Sequence, residues 1–464
     1  MRSRAFILLF ACAAAAMTQT VDRTKPPKTA DLEALKLPPV YETTLPNGMH
    51  VMLVENNRLP LVTIRLAFAA GSRFDPPKSP GLSEAVASLL SDGTKKRTSR
   101  QIAEQAADIG GSLSAASSTD SLTINGSALS EHTAALLDLV ADIARNASFP
   151  AEEIALYKQN RAQRLLEQKS RPDFLTSEKL NEVLFGSHPY AHRNPTQESI
   201  EALDAAAITG FRDRYLRPNN GVLIVLGKIA GRDAILKLIR EGFGSWERKD
   251  VPAEKLPALP TPSKSITLVD RPGSVQADIQ IGHLGIVRTD PAFFPLVVGN
   301  AILGGGTSSR LFNEIREKKG YAYSVYSFHV PMREAGTYVT GMQVRNEVVS
   351  DALEGTMAEM RAMGKTPVTA AELSGVKNYL SGAFVLRLET QEGLAAQLVS
   401  VKTMGLPIDY LEKYTARVRS VEPDKIQAIA RRFMSPDDSA VVVVGDASKI
   451  KSALDKFGKV QVTK

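Results

Sequence analysis

The sequence predicts an α+β protein of two homologous lobes, each with helices packed on a mostly antiparallel β-sheet. Three observations predict it. Ser91-Asp-Gly-Thr94, a helical run and Gly110-Gly-Ser-Leu-Ser-Ala115 are matched by Gly304-Gly-Gly-Thr307, a helical run and Gly320-Tyr-Ala-Tyr-Ser-Val325. Leu216-Arg-Pro-Asn-Asn-Gly-Val-Leu-Ile-Val-Leu-Gly227 is matched by Met434-Ser-Pro-Asp-Asp-Ser-Ala-Val-Val-Val-Val-Gly445. The offsets are 213 and 218 residues, and agreement in both order and spacing argues for duplication rather than chance. A Pro-rich stretch from Val251 to Pro262 separates the copies, which gives lobes over 41–250 and 265–464 with a linker at 251–264.

Residues 19–40 are rich in Pro and Lys and read as an extended lead-in. Thr44 to Gly48 is a turn, and His50 to Val54 a strand by its β-branched content. Leu61 to Ala69 alternates as a second strand, while Gly81–Ser91 and Ser99–Ile109 carry helical spacing. Leu113–Ser118 and Ser121–Ser127 read as paired strands, and helices dominate from Glu131 to Tyr215. Gly221 to Gly227 is continuously apolar, the mark of a strand buried on both faces. In the second copy a helix runs from Pro291 to Leu303 and the Gly304–Gly306 run follows it. That run lacks the Gly-Lys-Ser/Thr ending of a phosphate loop and no strand leads into it. Gly320, after Lys318 and Lys319, reads as a helix C-cap with cations at the negative end.

The chain has 464 residues, of which 43% are hydrophobic and 23% charged, with a net charge of +7. These values exclude disordered, collagen-like and disulfide-stapled classes. The basic excess is scattered and not interleaved with aromatics, so no nucleic-acid partner is expected. Arg2 and Arg4 followed by the apolar run Ala5–Ala16 predict an export signal over 1–18, too short to span a membrane. No later run is long and apolar enough to span one. The single cysteine, Cys12, lies inside that signal. The expected address is the periplasm, with lipidation of Cys12 as the alternative anchor. No intrachain disulfide or thiolate metal cluster can form.

The Gly81-Leu-Ser helix ending in Gly93-Thr94, the Phe185-Gly-Ser-His-Pro-Tyr190 turn and the Ser309-Arg-Leu-Phe…Ile-Arg316 helix together resemble the pitrilysin/insulinase metallopeptidase family. The resemblance spans nearly all of 40–460 and implies the two-lobed fold of the mitochondrial processing peptidases. Active members place His-x-x-Glu-His on the first-lobe helix and a second Glu roughly 75 residues later. Histidines at i and i+4 share one helical face and one zinc, and the intervening Glu is the general base. Here that frame falls on Glu84, Ala87 and Ser88, and the distal position on Arg164. Ala87 cannot take a proton and a guanidinium repels zinc, so the resemblance implies no metal and no cofactor in this chain. His188 and His192 have i,i+4 spacing but Pro189 lies between them, so they read as a packing turn. His50, His132, His283 and His329 are isolated and read as structural.

The resemblance also implies what is kept. An Arg and a Tyr seven residues apart in the family's second lobe reach across to the zinc site, and by position these are Arg316 and Tyr323. Tyr323 would donate to the oxyanion and Arg316 would hold a substrate carbonyl; the rival reading makes Arg316 a solvated helix end and Tyr323 a core aromatic. The family uses the strand after Gly110-Gly111 to bind extended substrate by main-chain pairing, which falls on Leu113, Ser114, Ala115, Ala116 and Ser117. The implied function is the non-zinc subunit of an exported two-subunit metalloendopeptidase. A homologous His-x-x-Glu-His subunit would bring the zinc, and an extended peptide would be the substrate. The alternatives are a catalytically silent scaffold or peptide-binding subunit of the same fold, and a peptidase with a different metal set built on Glu84.

Overall fold

The structure is a computed structural model that describes residues 35–463 except positions 193, 253, 254 and 262. The expected export signal, Cys12 and residues 19–34 of the lead-in lie outside the described residues.

Twelve strands form two six-stranded sheets. The first holds β1 (Val40–Thr44), β2 (His50–Glu55), β3 (Leu61–Phe68), β4 (Ser112–Ser117), β5 (Leu122–Leu129) and β6 (Gly221–Gly227), in the order β1-β2-β6-β3-β5-β4. The second holds β7 (Ser265–Asp270), β8 (Gln276–Gly285), β9 (Ala322–Pro331), β10 (Gly336–Arg345), β11 (Ala440–Gly445) and β12 (Val460–Thr463), in the order β12-β7-β11-β8-β10-β9. Five strands of one sheet therefore have counterparts in the other, in the same spatial order. The sixth differs: β1 runs antiparallel to β2, whereas β12 runs parallel to β7. The other parallel pairs, β2–β6 and β7–β11, place β6 and β11 inside their sheets. Every residue of both strands is buried, as their unbroken apolar runs require. Described residues between Val251 and Lys264 carry no helix or strand.

Local chemistry sets the helix ends. Thr98 with Gln101 and Thr369 with Glu372 form capping boxes at the Ser99–Asp108 and Ala370–Leu388 helices. Gly81 starts the Leu82–Leu89 helix at φ +89°, and a Cβ there would come within 2.6 Å of the Pro195 Cβ. Gly320 stops the second-lobe turn at φ +61°, as its place after two lysines predicts.

The lobes hold each other by exchanging helices. The Pro172–Phe185 helix of the first lobe packs on β8 and β11 of the second, and the Gln391–Thr403 helix of the second packs on β3 and β6 of the first. The missing side chain of Gly282 admits Leu180, whose methyls lie 2.7 Å from where a Cβ would stand. Thr63 donates to Glu392 at 3.1 Å, and Arg65 pairs with the same carboxylate. Neither sheet face is dry without the other lobe, so the lobes fold as one body.

The equivalent hairpin turns of the lobes also meet. The Arg333 amide, between β9 and β10, donates to Asp120 Oδ2 at 2.9 Å, between β4 and β5. Tyr190, fully buried, donates from its hydroxyl to Asp120 Oδ1 at 2.7 Å and accepts from the Glu334 amide at 3.2 Å. His188 accepts the Tyr190 amide at 3.2 Å and packs edge-on against its ring. This is the packing role read for the His188 turn; His192 is exposed beyond it.

Candidate functional site

The Leu82–Leu89 helix carries the degenerate metal positions. Ala87 is buried, Ser88 is exposed and Glu84 is half-buried. Opposite lies the Ala151–Lys169 helix, whose Tyr157 and Arg161 face Glu84. Arg161 Nε stands 2.8 Å from Glu84 Oε1, and Nη2 donates to Oε2 at 3.3 Å. Nη1 donates to Gln168 at 3.1 Å. The guanidinium that meets Glu84 is thus Arg161, while Arg164, at the counted distal position, is exposed and has no ion pair among the described residues. Glu84 is thus more than an ordinary polar residue on a helix. Burial, with the Glu84 carboxylate beside it, pushes the Tyr157 hydroxyl up.

A zinc ion does not fit these residues. Among the described residues no three His, Cys, Asp or Glu side chains converge as a metal site, and the one carboxylate present is taken by a guanidinium. Asp75 points elsewhere: it accepts the Gly81 and Ser83 amides at 2.8 Å each and so caps the helix start. Burial pushes its carboxyl up to about 7, against those amides.

The edge strand is placed as expected. β4 is the outer strand of its sheet, paired with β5 only, with a strictly alternating exposure pattern. Leu113 and Ala115 pack on the first-lobe core, and Ser114 and Ala116 are exposed. Ser117 Oγ donates to Ser83 Oγ at 3.1 Å, which ties the edge strand to the helix of the degenerate site. The Ser114 side of the strand borders a cavity of about 420 Å3 with Asn125 and Glu392. Among the described residues no strand pairs with the outer edge of β4.

In the second lobe Arg316 lies not on a regular α-helix but in a π-helical stretch, Phe312–Lys318. Tyr323 lies at the start of β9, also an edge strand. Ala322 faces Val344 and Val325 faces Met342, so Tyr323 and Ser324 together oppose Gln343 in a β-bulge. The bulge breaks alternation and turns both side chains outward; Tyr323 is 83% exposed. It is not a core aromatic. Arg316 lays its guanidinium 4.9 Å from the Tyr323 ring centre and 4.6 Å from that of Phe312. Two backbone irregularities of the kind that gather at functional sites thus flank one Arg/Tyr pair. No hydrogen bond, ion pair or ring contact joins this pair to Glu84, Ala87, Ser88 or Arg161 among the described residues.

Sequence reasoning missed Arg161 and the Arg73–Asp120–Tyr190–Glu334 junction. Counting from a motif cannot choose between neighbouring turns of a facing helix, and the junction joins residues far apart in the chain.

Residues 50–194 match the family profile described as Insulinase (Peptidase family M16), and residues 202–380 match the Peptidase M16 inactive domain. An uncharacterized zinc protease of Bacillus subtilis is 26% identical over 88% of this chain and 99% of its own length. One from Streptomyces coelicolor is also 26% identical, over 87% of this chain and 89% of its own. The crystal structure of a peptidase M16 inactive domain from Pseudomonas fluorescens superposes with a TM-score of 0.82 at 27% identity, covering 88% of this chain and 98% of that one. A Helicobacter pylori protease, 19% identical, shares the fold with a TM-score of 0.81 over 88% of this chain and all of that one. This chain belongs to the M16, or insulinase, peptidase family. No described helix is long and apolar enough to cross a membrane.

Proposed function

We propose that this chain is the non-zinc subunit of an exported, periplasmic two-subunit M16 endopeptidase. A homologous subunit with His-x-x-Glu-His would hold the zinc, and this chain would lend Arg316 and Tyr323 to that composite site. The observation that carries the reading is a contrast between the two lobes. In the first, Glu84, which the resemblance sets at a ligand position, is ion-paired with Arg161. In the second, an exposed Tyr323 is held ready under the Arg316 guanidinium. An exposed tyrosine braced by a cation presents a hydroxyl donor to an incoming chain. There it would donate to the oxyanion of a tetrahedral intermediate while Arg316 binds a neighbouring carbonyl of the peptide. Residues Leu113–Ser117 would pair with the extended substrate through β4. The zinc-protease names belong to the relatives, and this chain's residues do not reproduce a zinc site.

The test is reconstitution with the exported homologue that carries His-x-x-Glu-His. The pair should cleave unfolded peptides, lose activity to a chelator, and lose about 10²–10³ of turnover on Tyr323→Phe. Chelator-resistant cleavage by this chain alone would overturn the reading. Unchanged turnover in the Tyr323→Phe pair would leave the scaffold role.

A further inference from the structure

A second pair of equivalent segments lies outside the peptidase-like features. Arg73-Phe-Asp-Pro76 follows β3 and Arg288-Thr-Asp-Pro291 follows β8, 215 residues apart. The first arginine is neutralised inside the protein: Arg73 lies 3.6 Å from Asp120 and 3.1 Å from Glu334. The second has no carboxylate partner among the described residues. Arg288 donates from Nη1 to Ser400 Oγ at 2.6 Å, and its Nε is buried without a partner. Its guanidinium is fixed in place 4.9 Å from the Tyr410 ring centre and 5.8 Å from that of Phe293.

Arg288 lines a cavity of about 920 Å3 that opens to solvent. Phe294, Leu406, Val421 and Ile429 give it an apolar floor. Tyr410 also lines it and is 1% exposed; its hydroxyl stands beside the Arg288 guanidinium, which can only donate, so the hydroxyl proton has no acceptor among the described residues. Buried donors without partners are rare in folded proteins and ask for an acceptor. Arg417, Lys425 and Arg432 stand along the cavity. Of these only Lys425 has an ion pair among the described residues, an exposed one with Asp424 at 3.6 Å. The single acid in the lining, Asp290, already accepts the Ala292 amide at 2.8 Å. The cavity is thus an apolar recess with a surplus of positive charge.

We propose that this cavity binds the terminal carboxylate of a peptide whose last side chain is apolar. The carboxylate accepts from the Arg288 guanidinium, whose planar fork suits two oxygens, and from the Tyr410 hydroxyl. The last side chain rests on Phe294 and Ile429. Lys425 and Arg432 lie two turns apart on the Pro423–Phe433 helix, and this track of charge suits acidic residues upstream of the terminus. A lone fatty acid would leave that track unused, so the charge pattern favours a peptide. The site lies in this chain's own second lobe and does not depend on a partner subunit.

The test uses the full chain and a fluorescein-labelled Glu-Gly-Glu-Ala-Leu peptide, read by anisotropy. The free acid should bind roughly tenfold or more tightly than its C-terminal amide, the loss of one charge-assisted pair. Arg288→Gln should weaken the acid to the level of the amide. Arg432→Glu, at an exposed position that does not hold the fold, should weaken the acid severalfold at low salt and less at high salt. Equal binding of acid and amide would overturn the proposal. So would decanoate competing more tightly than the peptide, which would assign the cavity to a fatty acid, or wild-type affinity in both variants.

Discussion

Arg161 and Glu84 face each other across two helices, with Nε 2.8 Å from Oε1. The pair is asymmetric. Arg161 is 4% exposed and Glu84 35% exposed, so the cation is the partner that depends on the contact. The geometry is that of a close ion pair with one directed hydrogen bond, Nη2 to Oε2, while Nε meets its oxygen off-axis.

That asymmetry sets the first prediction. Glu84→Gln should destabilise the chain by about 1–3 kcal/mol in urea unfolding, because it strands a buried cation. Arg161→Met should cost less, about 1 kcal/mol or under, since Glu84 can rehydrate and the methionine fills the space. The double-mutant cycle should show coupling of at least about 0.5 kcal/mol. Additive effects would mean that the pair is incidental.

Metal should be irrelevant to the isolated chain. Neither zinc at micromolar excess nor a chelator should move the melting temperature, because a ligand bound only by the folded state would raise it. A shift of several degrees would return a metal to the first lobe.

Tyr323 is too exposed to support the fold. Tyr323→Phe and Arg316→Ala should each change unfolding free energy by less than about 0.5 kcal/mol. A larger loss in either would return that residue to a structural role and weaken its assignment to a composite site.

The lobe junction should behave in the opposite way. Tyr190→Phe removes one hydroxyl that satisfies both Asp120 and the Glu334 amide, leaving buried groups unpaired. A cost of about 1–3 kcal/mol in urea unfolding is expected, with the lobes still unfolding together. A separate transition for each lobe would contradict the helix exchange as the dominant tie.

Asp75 supplies a pH signature. Its carboxyl is raised in the folded chain from 3.8 to about 7, so the folded state binds the proton more tightly than the unfolded state. Its contribution is fully present below about pH 4 and is lost as pH rises through 7. The buried His329 works against it: burial lowers that ring to about 4, so its contribution is lost as pH falls below 6.5. The difference between wild type and Asp75→Asn isolates the Asp75 part. Wild-type stability should fall relative to the mutant by on the order of 1–3 kcal/mol between pH 4 and 7. A flat difference would show that the amides of Gly81 and Ser83 hold the carboxylate ionised.

The sequence by itself determined the duplication, the two buried central strands and the Gly320 cap. Each is written in local pattern: an offset between repeats, an unbroken Val/Ile/Leu run, or a glycine after two lysines at a helix end. The family resemblance singled out Arg316 and Tyr323, seven residues apart. Only the tertiary structure decided that a β-bulge turns Tyr323 to solvent, because the bulge depends on the register with Gln343 on the neighbouring strand. It decided as well that Arg161 rather than Arg164 meets Glu84, since helix rotation against a facing element is a property of packing. The exchange of the Pro172–Phe185 and Gln391–Thr403 helices between lobes was illegible for the same reason. An amphipathic stripe states that a helix is buried, and only the shape of the whole states against which sheet.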